Sequence, residues 1–337
     1  MNTFGENVRL TIFGESHGTA IGMVLDGYPA GEEIDFDALK LEMARRAPGS
    51  SDLSSQRLEP DEPLFLSGLL NGHTTGAPIC AIIKSMDVKS EHYKPEKPRP
   101  GHADFTGQIR FKGRSDFRGG GPFSGRLTAP MLLGGAICKQ SLAKRNISVE
   151  AEIVRIGPAV GSGLTFEMRK EILDVRAIGD SVGGVVECVV EGLPAGIGGL
   201  FFGGLESRIS AALFAIPGVK GVEFGAGFGI AEMRGSTAND PIRIDGDKIY
   251  TETNHAGGIN GGISNGMPLV VRCAFRPAPS IGREQKTVDL LKQENINMRV
   301  AGRHDPCIVP RALPVVEGIV AFCLMDAICE DNRYINE

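Results

Sequence analysis

Apolar residues recur three or four positions apart in only a few stretches of the chain. Phe36, Leu39 and Met43 form the first such stretch and predict a helix capped by Asp35 and stopped by Pro48-Gly49. Its polar end delivers Arg45 and Arg46 to the loop that follows. From Thr128 onward, apolar residues through Ile137 and Leu142, with Pro130 in the first turn, predict a second helix with Thr128 as its N-cap. Helical spacing also extends over 205–216, 285–296 and 313–330. Strands are predicted at 64–70, 79–84, 148–156, 183–190, 219–224 and 267–275, the 183–190 run being β-branched and uninterrupted by proline. Strand runs broken by glycine turns, with helices at irregular intervals, predict an α+β fold rather than a regular βαβ wind. The most apolar stretch, 315–329, is interrupted by Glu317 and Asp326 and falls short of the ~20 apolar residues a membrane span needs, so it reads as a buried helix.

Composition alters this picture in one respect. Glycine supplies 46 of the 337 residues, about twice the usual share of ~7%, with no collagen period and no low-complexity tract. Many backbone positions must therefore want a positive φ or a side-chain-free approach to something. A net charge of −5, no tryptophan and 6% aromatics argue against a nucleic-acid binder. Residues 1–10 have no basic segment followed by an apolar run, so no signal peptide is expected and the cytoplasm is the expected compartment. The seven cysteines contain no CxxC pair and are expected to be reduced core residues, with no metal.

The glycines concentrate around polar residues in four segments: 14–18, 99–104 running on to 116–121, 257–266, and 302–306. Histidines lie in three of them, His17, His102 and His304, where small neighbours leave the imidazole uncovered and able to act as acid or base near neutrality. The 257–266 segment matches neither a Walker A loop nor a dinucleotide fingerprint. It offers either unhindered backbone to a flat or anionic ligand, or a pair of tight hairpin turns. Arg46, Arg99, Arg118, Arg126 and Arg303 lie in or beside the glycine-rich segments, and if those converge the site suits a multiply anionic small molecule. The apolar-poor stretch 90–99 is read as an ordered loop or lid rather than a linker.

Taken together, Phe13-Gly14-Glu15-Ser16-His17-Gly18, Arg99 to Asp104 with Arg118 to Gly121, Gly257 to Gly266, and Gly302-Arg303-His304-Asp305-Pro306-Cys307 ahead of Pro310-Arg311-Ala312 closely resemble the chorismate synthase family, in the family's order and over nearly the whole chain. The resemblance implies one domain over 1–337, a β-α-β sandwich of two antiparallel sheets with helices, and a homotetramer. It implies a lyase that converts 5-enolpyruvylshikimate 3-phosphate to chorismate and phosphate, the last step of the shikimate pathway, with reduced FMN. His17 would be the acid near the departing phosphate, His102 the proton partner of the reduced flavin's N1 edge, and Asp305 a relay for a proton at flavin N5. Ser16, Arg46, Arg99, Ser124, Arg126 and Arg303 would bind substrate. Ser124, Gly261, Arg276, Pro277, Ala278, Pro279, Ser280 and Arg303 would lie against FMN.

The chain also departs from the family pattern. After the triple glycine it reads Pro122-Phe123-Ser124-Gly125-Arg126-Leu127-Thr128 where the family usually has Arg-Ser-Ser-Ala-Arg-Glu-Thr, so Gly121 to Ser124 amides would stand in for lost side-chain contacts. A basic residue of the family appears as Asp52, and Pro217-Gly218 replaces a polar residue and alanine. Two rival readings stay open: a flavin reductase using a nicotinamide cofactor, and a non-catalytic flavin or shikimate-phosphate binder. With no dinucleotide fingerprint in the chain, reduced flavin would come from an external reductase.

Overall fold

The computed structural model describes residues 1–47, 49, 53, 61–86, 93–300, 302 and 304–330. Pro48, Asp52, Arg303 and residues 90–92 of the expected lid lie outside the described residues. Two five-stranded antiparallel sheets form the outer layers. The first runs Thr3–Phe4, Arg9–Gly14, Ala20–Asp26, Ile79–Lys84, Pro63–Ser67 in spatial order. The second runs Val219–Phe224, Leu269–Phe275, Gly184–Glu191, Ser148–Ile156, Ala159–Val160. Central strands of the second sheet bury every other residue, Val186, Cys188 and Val190 among them, as a sheet with one face on the core must.

Between the sheets lie two long helices, Thr128–Lys144 and Val309–Glu330. The C-terminal one is long and apolar enough to cross a membrane by composition, yet it is buried along almost its whole length, which makes it a core helix. The two cross where Gly135 meets Gly318: a Cβ on Gly135 would stand 2.3 Å from the Gly318 carbonyl. Glycine at both positions lets the backbones touch. Gly134 packs on Leu10 of the first sheet, so the helix pair is welded to that layer as well.

Polar groups on the buried C-terminal helix all have partners. Asp326 accepts the amides of Glu6, Asn7 and Val8, at 3.1, 2.7 and 2.9 Å, tying the N-terminal strands to the far end of the chain. Glu317 takes both terminal nitrogens of Arg45 at 2.7 Å, Lys139 at 2.5 Å and the Ala151 amide at 3.1 Å. Burial alone would raise its carboxyl pKa, but the hydrogen bonds and charges of Arg45 and Lys139 prevail and hold it below the ordinary glutamate range.

Most elements lie where the hydrophobic pattern puts them, including the Asp35-capped helix Phe36–Arg46 and the strand Ser148–Ile156. Three differ. Residues 285–296 form not a helix but the hairpin Glu284–Asp289 and Glu294–Arg299. Thr128 is not the N-cap of its helix; that place is taken by Leu127, and the Thr128 hydroxyl instead donates to Gly125 O at 2.6 Å. The 205–216 helix ends at Leu213, and the turn after it is used by the cavity described next. All seven cysteines are free, and burial pushes Cys273 and Cys307 up to about 12, out of reach of thiolate chemistry.

Candidate active site

A cavity of about 600 Å³, within the usual range of small-ligand sites, opens where loops from both sheets and the helix layer meet. Each loop is aimed by a regular element. The N-terminal hairpin, Arg9–Gly14 with Ala20–Asp26, carries Ser16 and His17 at its tip. Helix Phe36–Arg46 ends on Arg46, and the turn after Leu213 supplies Phe214 to Gly218. The segment following Phe275 supplies Arg276 to Ser280, and the approach to the C-terminal helix supplies His304, Asp305 and Arg311.

The triple-glycine turn organises the centre. Gly119, Gly120 and Gly121 have φ of 62, 90 and 53°, a run that only glycine adopts without strain. A Cβ on Gly119 would come within 2.4 Å of the His17 ring and 2.8 Å of Ser16 Oγ, and one on Gly120 within 3.1 Å of His102 Nε2. The two histidines therefore press on successive residues of one side-chain-free turn, and Gly119 is part of the cavity wall. Ser16 and His17, themselves buried, reach the cavity past Gly119 rather than lining it. Tyr93 bridges the two sides: its ring meets the His17 ring edge-on at 5.4 Å and lies under the Arg99 guanidinium at 5.3 Å.

Six cations line the cavity among the described residues, Arg46, Arg99, Arg126, Lys220, Arg276 and Arg311, against one carboxylate, Asp305. Counter-charges stand behind the wall. Asp61, its side chain fully buried, pairs with Arg46 and, at 3.1 Å, with Arg126. Thr128 Oγ1 accepts Arg46 Nε at 3.0 Å, which explains why that threonine is drawn away from capping. Asp104 holds Arg99, and Arg311 donates to Asp305 at 2.5 Å and to Arg46 O at 3.0 Å. Arg276 reaches Gly101 O at 2.6 Å and so joins the loop of His102 to the 276–280 segment.

Of the residues expected from sequence, Arg46, Arg99, His102, Ser124, Arg126, Arg276, Pro277, Ala278, Pro279, Ser280 and Asp305 all line this one cavity, and Ser16 and His17 abut it. Gly261 does not. It sits at the turn of the short hairpin Ile259–Asn260 and Ile263–Ser264, so the 257–266 segment takes the hairpin alternative and stays outside the cavity. Arg118 pairs with Asp116 at 2.7 Å on the surface. The described part of the lid segment is ordered: Glu96 O accepts the Leu290 amide at 2.8 Å, Pro98 O accepts Thr287 Oγ1 at 2.6 Å, and Arg99 donates to Ser280 Oγ at 3.2 Å. Sequence reading assigned no role to Asp61, Tyr93, Asp104, Lys220 or Arg311. Asp104 and Arg311 stood inside recognised motifs, whereas Asp61 lies in none.

The fold and cavity define an α+β protein with one arginine-walled cavity among its described residues, of the charge a polyanionic small molecule requires. Comparison with known proteins gives the family. A family model for chorismate synthase matches residues 8–329. The chain is 46% identical over 341 residues to a chorismate synthase of Thermococcus kodakarensis, covering 96% of each, and 43% identical over 353 residues to one of Korarchaeum cryptofilum, covering 98% of each. A crystal structure titled as chorismate synthase superposes with a TM-score of 0.75 at 27% identity, over 97% of this chain and 93% of that one. The chain belongs to the chorismate synthase family, lyases of the shikimate pathway.

Proposed function

We propose that this chain, acting as a single domain, eliminates phosphate from 5-enolpyruvylshikimate 3-phosphate to give chorismate, and that it does so with reduced FMN. The observation that carries the reading is the convergence of six cations, His102 and Asp305 on one cavity with His17 against its wall. A substrate with one phosphate and two carboxylates matches that charge, and guanidinium pairs give it bidentate, oriented contacts. The residues also fit a flavin. Phe214, Ala215, Ile216 and Pro217 give the cavity an apolar side suited to a flat ring, while Arg276 and Ser280 on the other segment suit its polar edge and phosphate. When bound, reduced FMN would supply the electron density needed to break a ring C–H too weakly acidic for any protein base.

The chain's own residues then have separable tasks. Arg46, Arg99, Arg126 and Arg303 hold the substrate's anions, and Arg311 adds a cation the motif reading left without a role. His17 donates a proton to the departing phosphate past Gly119. His102 would be the proton partner of the flavin's N1 edge, taking a proton at Nε2, and Asp305, fixed by Arg311, would relay a proton at flavin N5. Flavin contacts are proposed for Ser124, Arg276 to Ser280 and Arg303, and not for Gly261. With Pro122 and Phe123 in the cavity wall, and no N–H on proline, the backbone N–H of Phe123 is the donor there that replaces lost side-chain contacts. The assembly is proposed to be a homotetramer in the cytoplasm, supplied with reduced flavin by a separate reductase.

Anaerobic incubation with the enolpyruvyl substrate and chemically reduced FMN tests the reading by following phosphate and chorismate together. Stoichiometric appearance of both is expected. Tight FMN binding without phosphate release would make the chain a binder, and NADPH consumption by the purified protein alone would overturn the external reductase.

A further inference from the structure

Asp104 lies just behind the cavity wall, where Arg99 and His102 both meet it. It accepts Arg99 N at 3.0 Å, Arg99 Nε at 2.7 Å and Arg99 Nη2 at 2.8 Å, and its Oδ1 stands 2.6 Å from His102 Nδ1. Both side chains of the Asp104–His102 pair are largely shielded from solvent. Burial alone would raise the carboxyl's pKa, but the hydrogen bonds from Arg99 and His102 prevail and hold it far below the carboxylate range, so it is an acceptor at any working pH. An ionised carboxylate can only accept, so a neutral imidazole in this position must carry its hydrogen on Nδ1. The other ring nitrogen, Nε2, then bears the lone pair and is the one that faces Gly120.

From this geometry we infer that Asp104 is the positioning residue for His102: it fixes the Nδ1–H tautomer and aims Nε2 past Gly120 as the proton-accepting atom. The same carboxylate holds the guanidinium of Arg99, whose Nη2 lies 3.1 and 3.3 Å from the two ring nitrogens, so one anion sets the place of an anion-binding cation and a proton-handling ring together. The catalytic consequence rests on the role proposed for His102; the tautomer does not. Misplacing a catalytic imidazole's proton by removing its orienting carboxylate costs about 10⁴ in turnover in the serine proteases.

The test reads the tautomer and the kinetics separately. Solid-state NMR of the full chain carrying ¹⁵N-histidine, without substrate or flavin, with His102 assigned by comparison with His102→Gln, distinguishes protonated from bare ring nitrogens. The unaltered chain is expected to show Nδ1–H with bare Nε2, Asp104→Asn to lose that form, and Asp104→Glu to retain it. In turnover with reduced FMN, Asp104→Asn is expected to lower kcat at least about 10²-fold and, by releasing Arg99, to raise KM as well, with kcat largely recovered in Asp104→Glu. An Nε2–H form in the unaltered chain, an unchanged spectrum in Asp104→Asn, or a change in KM alone would each overturn the proposal. An inactive unaltered chain that shows the expected tautomer would instead count against the proposed reaction.

Discussion

His17 and His102 meet the same turn from two sides, and their separation depends on the absence of side chains at Gly119 and Gly120. Removing either imidazole should therefore lower turnover without disturbing the fold. His17→Ala and His102→Ala are each expected to lose roughly 10²–10⁴-fold in phosphate release, and near-native rates in both would take them out of the mechanism. Asp61 is a different kind of residue. It is the shared counter-ion of two buried guanidiniums, so Asp61→Asn leaves Arg46 and Arg126 short of a charge inside the protein. The expected loss is about 3–5 kcal/mol of stability, read by denaturant titration, together with weaker substrate binding; an unchanged midpoint would deny Asp61 that role. At this scale the sequence was informative where glycine isolates a polar side chain, as at His17 and His102. It was silent at Asp61, because burial of a carboxylate is decided by arginines at 46 and 126 that only the fold brings to it.

Among the elements, the hairpin Glu284–Arg299 shows how a period can mislead. Val288, Leu291 and Ile296 suggest helical spacing, and the turn between the strands holds no glycine or proline to announce it. The bend is made instead by Asp289, whose Oδ1 accepts the Leu291 and Lys292 amides at 3.1 Å, and by Gln293 at a φ of 56°. The long helices were legible because their apolar residues outnumber any competing pattern, and their crossing at Gly135 and Gly318 makes a sharp prediction. Gly135→Ala would drive a methyl into the Gly318 backbone and is expected to cost at least about 1–3 kcal/mol, whereas Gly229→Ala, with open space at its Cβ, should stay within about 0.5 kcal/mol. Comparing the two denaturation midpoints checks the crossing. Glu317 adds a pH dependence. Its folded pKa is depressed, so the stability it contributes is present above the ordinary glutamate value and lost as pH falls through the folded one. Thermal melts should therefore show a drop below about pH 4 that is smaller in Glu317→Gln.

For the molecule as a whole, the net charge of −5 and the cationic cavity describe different places. Negative charge spread over the surface does not oppose an anionic substrate at the mouth once salt screens it beyond ~8–10 Å, whereas arginines inside the cavity are screened less. Raising salt from roughly 50 to 500 mM is expected to raise KM for the substrate several-fold while kcat changes less than about twofold. A flat KM would mean that the cations do not meet the substrate's charges. The fold class was legible because strand runs without regular helical crossovers leave few alternatives. Which loops would converge was not, since their meeting depends on contacts more than 200 residues apart, such as Arg311 with Arg46.

One long-range contact also sets a limit on when the protein can become itself. The amides of residues 6–8 are satisfied by Asp326, and one of the two helices between the sheets is the last element of the described chain. During synthesis the first sheet can be covered early by Thr128–Lys144, but the face of that helix at Gly135 must wait, exposed, for Val309–Glu330 to be made. Completion of the core is a late, long-loop event, and contacts closed so late slow folding and lengthen the time a growing chain is open to aggregation.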